Sequence, residues 1–282
     1  MRLLPFATWI AGAAVLALLL PTSAGAAQKI VSLNLCTDEL LLRLADRPRI
    51  ASVTWLSRDP ATSNVAALAE RVPVNYGSAE QVVVSNPDLV LAGTFTTRVT
   101  VSMLKRTAVP VVEFGVPRSL DEVRQQIRDV AALVQAEDKG KQLIDEINRR
   151  IDAVASKARA VRPTAVVLNP NGATVARGTL ADQVMTAAGL ENIAARLNID
   201  NYGEIPLEMV ALHQVDVLIV SASRDGPPSQ ATEMLRHPIL SKLARTRIVV
   251  LPGRLWNCGG PGVAEAVERL DAVATDVVRG RS

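Results

Sequence analysis

Short runs of branched apolar residues alternate along the chain with segments whose apolar positions recur at helical spacing, the pattern of parallel strands joined by crossover helices. Runs at residues 30–33, 50–53, 89–92 and 109–114 are separated by segments carrying Leu40, Leu41 and Leu44, by 79–84, and by 101–106. They predict a first α/β unit. A second series at 165–168, 217–221 and 248–251, with helical stretches at 180–188, 207–212 and 263–278, predicts another. Between them, residues 119–160 contain no proline and almost no strand signal, while Ile144, Ile147, Ile151 and Val154 share one helical face. Ser119 followed by Glu122 predicts a capping box, and either Gly140 or the acidic pair Glu137 and Asp138 divides this stretch in two. The second piece, residues 137–161, would reach over about 30 Å at 1.5 Å per residue and join the units as a stiff rod. The fold class is therefore α/β, two lobes with mostly parallel sheets joined by one long interlobe helix: 27–136, 137–161 and 162–282.

The two lobes also echo each other. Glu80 precedes Asp88 by eight residues, Glu208 precedes Asp216 by eight, and a buried-type strand follows each aspartate at once.

Composition narrows the function. Apolar residues make up 49% and charged ones 21%, with only 16 Gly and 16 Pro, so a packed core is expected and disorder is not. The net charge of +3 comes from scattered basic residues, which argues against nucleic acid as a partner. Two His and two Cys are too few for a zinc finger, an iron–sulfur cluster or a multi-His cage, so no metal site of the protein's own is expected and any metal arrives already chelated. At the start, Arg2, an apolar run over 3–20 and small residues through Ala26 form an export signal cleaved near Ala26. Residues 1–26 are thus expected to be removed, leaving a periplasmic, monomeric protein that does not span the membrane.

Of the aromatic residues beyond that signal, Trp55, Phe95 and Trp256 come just past predicted strands, and Tyr76 and Tyr202 lie in Gly-flanked loops; only Phe114 sits in a strand. In open α/β sheets ligands bind outside the carboxyl ends of the strands, so rings placed there predict a cleft gripping a bulky apolar face. Hydrogen-bonding residues share these ends: Asn34, Cys36, Thr37, Ser57, Asn169 and Asn171, with Arg58 and Arg98 as candidate partners of an anionic group.

At this point the chain resembles a periplasmic substrate-binding protein of the cobalamin and ferric-siderophore type. The resemblance rests on the run from Lys29 to Asn34, Ala79 to Val82 followed by Asn86 to Val90, the interlobe helix, Gly189 to Ile193, Ile205 to Glu208, and the approach from His237 to Val250. It implies Rossmann-like lobes, a metal-chelate cargo and an inner-membrane ABC permease as partner. Together with the ring positions, it gives candidate ligand contacts at Leu35, Cys36, Thr37, Trp55, Leu56, Arg58, Tyr76, Gly77, Phe95, Asn171, Tyr202, Trp256 and Asn257. Members of this family carry a docking glutamate on each lobe; here the stretch after Phe95 holds Thr97, Arg98 and Val99, and Glu233 is only a stand-in on the other lobe.

Cys36 and Cys258 should both rim the cleft, and three readings stay open for them: two free thiols, a disulfide across the cleft, or thiolate contact to a bound metal. The run from Gly259 to Gly262 reads as the turn that starts a helix. Nucleophile-elbow, P-loop and HExxH motifs are missing, and no catalytic residues are assigned. The competing class is a secreted α/β enzyme working through Asp38, Glu39 or Asp59. Cobalamin suits a ring-lined cleft with few charges, a ferric siderophore would use more arginine, and haem would take Tyr76 or Tyr202 as an axial ligand.

Overall fold

The computed structural model describes residues 27–96, 98–157, 161–220, 237–241, 243 and 245–280. Residues 1–26, where an export signal is expected, Thr97 and Glu233 lie outside them.

The first lobe runs β1 (Ile30–Ser32), α1 (Leu35–Leu44), β2 (Ile50–Thr54), α2 (Ala66–Ala69), β3 (Val74–Asn75), α3 (Ala79–Val84), β4 (Leu89–Gly93), α4 (Arg98–Leu104) and β5 (Val111–Phe114). Its sheet is parallel throughout, in the order β3-β2-β1-β4-β5. Two helices follow, α5 (Leu120–Leu133) and α6 (Glu137–Ala155). The second lobe contains β6 (Thr164–Val167), β7 (Ala173–Val175), α7 (Leu180–Ala187), β8 (Glu191–Asn192), β9 (Tyr202–Glu204), α8 (Leu207–Leu212), β10 (Val217–Val220), α9 (Pro238–Ser241), β11 (Arg247–Val250) and α10 (Gly262–Arg279). Its parallel sheet has the order β11-β10-β6-β8, and β7 and β9 pair separately as an antiparallel ribbon.

The continuous apolar runs reflect strands buried on both faces. In β4, Leu89 and Leu91 face one core while Val90 and Ala92 face another. In β6 and β10, Ala165, Val167, Val217 and Ile219 face the first of these cores, and Val166, Leu168, Leu218 and Val220 face a third. That first core is shared: it also takes Val123 and Ile127 of α5, Ile144, Ile147 and Ile151 of α6, and Val267 and Leu270 of α10. One apolar layer therefore runs from the first sheet to the second beneath the linking helices.

Ser119 caps α5 by accepting from the Glu122 N–H at 3.0 Å, and Glu122 returns a bond to Arg118 N–H at 2.6 Å, one residue earlier than a strict capping box would place it. The helical stretch divides at Gln135, whose φ of 54° breaks the ladder, and Glu137 and Asp138 open α6. Gly140 does not divide the stretch. A Cβ there would meet Ala131 Cβ at 2.6 Å, so this glycine lets α5 and α6 pack closely. The helix expected over 137–161 closes at Ala155, with Ser156 as its cap.

Candidate functional site

The site forms where the carboxyl ends of both sheets meet. In the first sheet the strand order reverses between β1 and β4, and Asn34 fills this switch point: its side chain accepts from Cys36 N–H at 2.9 Å and lies so close to Gly93 that a Cβ there would meet it at 2.6 Å. The rings project around this point. Trp55 follows β2 and is 49% exposed, Tyr76 follows β3 and is 69% exposed, and Phe95 follows β4 and is 85% exposed. Trp55 and Tyr76 stack with ring centroids 6.5 Å apart and planes at 25°.

Buried polar groups set the loops that carry these rings. The Asp38 carboxylate, at the start of α1, accepts from Thr54 N–H at 3.1 Å and from the Thr54 and Ser57 hydroxyls at 2.5 Å each, bracketing Trp55. Burial pushes this carboxyl up to about 6, against the pull of those donors. Asn75 donates to Ser32 O and Ser52 Oγ, tying the end of β3 to β1 and β2 just before Tyr76. Gly77 turns at φ 78°; its N–H donates to Asn75 Oδ1 and its carbonyl accepts from Thr100.

In the second lobe a cavity of about 270 Å³ opens between Val116 and Pro117, which follow β5, and Asn169, Tyr202, Trp256 and Asn257. Cys36 and Cys258 form a disulfide, with Cα atoms 4.8 Å apart, joining the first turn of α1 to the loop that carries Trp256 and Asn257. Of the three readings of the cysteines, the structure takes the cross-cleft bridge. Next to it Asn64 donates to Arg254 O at 2.6 Å and to Glu39 Oε2 at 3.2 Å, Arg254 donates back to Asn64 Oδ1 at 2.7 Å, and Arg43 pairs with Glu39 at 3.2 Å. Burial raises the Glu39 carboxyl despite Arg43.

The sequence-predicted residues thus divide. Trp55 with Tyr76, and Tyr202 with Trp256 and Asn257, come together in two clusters. Leu35, Cys36 and Leu56 are partly exposed. Others have different work. Thr37 is only 2% exposed and bonds Asn34 O and Ser32 Oγ, so it faces inward rather than toward a ligand. Arg58 donates to the carbonyls of Ala69 and Val72, clamping its own loop instead of waiting for an anion. Trp256 lines the cavity but is 5% exposed and belongs to the shared core, so it is a wall rather than a projecting ring. Asn171 is exposed at φ 61°, and its neighbour Asn169 lines the cavity. Val116, Pro117 and Asn64 carry no signal in the sequence beyond the place of the first two after β5 and of Asn64 just before α2.

Asp38 and Glu39 hold chain segments, as described, and Asp59 accepts from Ala61 N–H and the Thr62 hydroxyl within its own turn. Among the described residues no three His, Cys, Asp or Glu side chains come together to hold a metal ion. Nor is any described helix long and apolar enough to cross a membrane.

Comparison with known proteins follows the same lines. The profile of the periplasmic binding protein family matches residues 30–252. A cobalamin-binding protein of Halobacterium salinarum is 24% identical over 251 residues, covering 86% of this chain and 68% of its own. Among solved structures, the apo heme-binding protein RhuT of Roseiflexus sp. RS-1 superposes with a TM-score of 0.72 at 25% identity, over 89% of this chain and 98% of that one. The vitamin B12 binding protein BtuF of Vibrio cholerae gives 0.68 at 18% identity, over 90% and 98%. The heme-binding protein HutB of the same organism gives 0.74 at 18%, over 87% and 98%. With the family profile spanning both sheets and the linking helices, this chain belongs to the periplasmic binding protein family.

Proposed function

We propose that the chain is the exported capture component of an ABC importer and that its cleft binds a cobalamin-type chelate for delivery to an inner-membrane permease. The observation that carries the cargo reading is the pairing of exposed rings with committed arginines. Trp55, Tyr76, Phe95 and Tyr202 offer apolar faces at the strand ends. Arg58 is bound to carbonyls, Arg118 to Gly178 O and Asn201 Oδ1, and Arg254 to Asn64. Arg98 stays exposed at the start of α4. Such a lining favours a large, weakly charged ring system over a polyanionic ferric siderophore, because burying aromatic faces gains energy without asking for counter-charge. The cobalamin-binding relative from Halobacterium points the same way.

Titration with cyanocobalamin, followed by tryptophan fluorescence, tests this. Saturable quenching is expected, and Trp55→Ala or Tyr202→Ala should each weaken it by about ten- to a hundredfold, the scale of losing one well-placed ring. A flat response to cobalamin, haemin and ferric siderophores alike would reject chelate capture.

A second reading has its own support: the phenols of Tyr76 and Tyr202 are both exposed at the cleft, where either can ligate haem iron, and heme-binding proteins are among the structural neighbours. A Soret shift on adding haemin that disappears in Tyr202→Phe or Tyr76→Phe, with no cobalamin response, would favour it.

A further inference from the structure

The bridge between Cys36 and Cys258 is placed where a staple for fold stability has little left to do. The lobes are already joined by α6 and by one apolar layer that includes α10. The adjoining junction is packed without sulfur: a Cβ on Gly259 would meet Pro117 Cγ at 2.5 Å, a Cβ on Gly260 would meet the Glu39 carboxyl at 2.7 Å, and Asn64 bonds both Glu39 and Arg254. What the bridge adds is a covalent tie at the cargo-facing end of that junction. Cys258 follows Asn257, which lines the cavity, and Cys36 lies in the first turn of α1, two residues before the Asp38 that positions Trp55. A single covalent link thus connects the two ring clusters across 222 residues of chain.

The two cysteines are also unequally exposed. Cys258 is 9% exposed, whereas Cys36 is partly open to solvent, so an incoming thiolate has access to one side of the bond.

We propose that Cys36–Cys258 is a reversible thiol–disulfide exchange site for a dithiol reductant, and that its state sets the grip of the cleft; the grip rests on the chelate-binding reading above. A thiolate of the dithiol attacks Sγ of Cys36, the bond to Cys258 breaks, and Cys258 leaves as a thiolate that takes up a proton. The second thiol of the reductant then attacks the mixed disulfide and Cys36 leaves, so the reductant carries away the two-electron oxidation as its own disulfide. With the bond gone, the Trp256–Asn257 loop loses its covalent tie to α1 while the shared core and the Glu39–Asn64–Arg254 contacts keep the lobes in register. The cargo must then order that loop itself, which weakens binding.

The test uses the mature chain in four forms: oxidised, reduced with dithiothreitol and kept anaerobic, Cys36→Ser and Cys258→Ser, all well below the melting temperature of the reduced protein. Alkylation mass confirms the states, with no added groups on the oxidised form and two on the reduced. Cyanocobalamin affinity is expected to fall about tenfold or more on reduction and in both variants, the scale of re-ordering one or two loosened side chains, and to return when the reduced wild type is reoxidised. In unliganded protein, amide exchange over 253–260 should speed up on reduction while that of the sheets does not. Equal affinity in both redox states overturns the proposal. If neither state binds any chelate, the cargo reading fails and exchange alone decides the latch: unchanged protection over 253–260 overturns it, faster exchange there upholds it.

Discussion

The two lobes share one joint and differ in what they hang on it. In the first, Asp88 stands just before β4, accepts from Lys29 N–H at the head of β1 at 2.9 Å, and donates its own N–H to Lys29 O. In the second, Asp216 stands just before β10, accepts from Thr164 N–H at the head of β6 at 2.8 Å, and donates to Thr164 O. Two residues upstream of each aspartate the backbone turns through the left-handed region, at φ 45° for Asn86 and 43° for Gln214. The Glu-to-Asp echo in the sequence is therefore a repeated helix-to-strand joint. The loops past the carboxyl ends of the strands do not repeat. The first lobe projects exposed rings from a loop fastened by the buried carboxylate of Asp38, and the second sets one exposed ring against the buried wall of Trp256. The scaffold tolerates duplication because each aspartate bonds backbone groups at the head of the neighbouring strand, which any sequence supplies, whereas the loops past the strand ends are held by side-chain partners peculiar to each lobe.

The largest effect that would sharpen this contrast is a pH dependence confined to the first lobe. Because burial lifts the Asp38 carboxyl from its ordinary 3.8 to about 6, the folded chain holds that proton more tightly than the unfolded one. The stabilisation is complete below about pH 4 and is lost as pH rises through 6, up to about 3 kcal/mol. Denaturant titrations across pH 4 to 7 should show Asp38→Asn flattening this component, and an unchanged slope would mean another group carries it. Next in size is the repeated joint itself. Asp216 is 9% exposed and Asp88 lies in solvent, so Asp216→Ala should cost about 2–3 kcal/mol and Asp88→Ala about 1 kcal/mol or less in urea unfolding. Equal losses would show that burial is not what separates them. The smallest concerns the helices that serve both lobes. Arg150 of α6 grips Glu268 of α10 through both carboxylate oxygens, but both side chains are about a third or more exposed, so Glu268→Gln should cost less than about 1 kcal/mol. Arg150 holds the Glu268 carboxyl below its usual range, so this contribution is present at neutral pH, fades on acidification and shrinks in high salt.

Much of this architecture was legible in the chain because doubly buried parallel strands must be apolar throughout, and the runs at 89–92 and 217–221 announced β4 and β10. The strands that escaped are those with too few residues to show a period: Val74–Asn75 is two residues long, and the β7–β9 ribbon arises from a loop whose pairing joins residues about thirty apart. The division of the long helical stretch was foreseen, but its position depended on a left-handed Gln135, a residue with no special preference for that backbone. At the site, the rings were readable because a residue just past a parallel strand must lie at the carboxyl edge. The commitments of Thr37, Arg58 and Trp256 were not, since each is decided by partners far away or by depth in the shared core. The cysteine bridge was one of three open readings because nothing local reports a distance between residues separated by 222 positions.

The continuous apolar layer beneath both sheets has a consequence for how such a molecule can work and be handled. Halves welded through Ile147, Val217, Leu91 and Leu270 cannot swing apart as independent jaws without wetting their common interior. Loading and unloading must then be accomplished by adjustments at the mouth, and heating should melt the whole body in a single cooperative transition. For the same reason, cutting the chain after α6 would yield two sticky fragments rather than two smaller proteins.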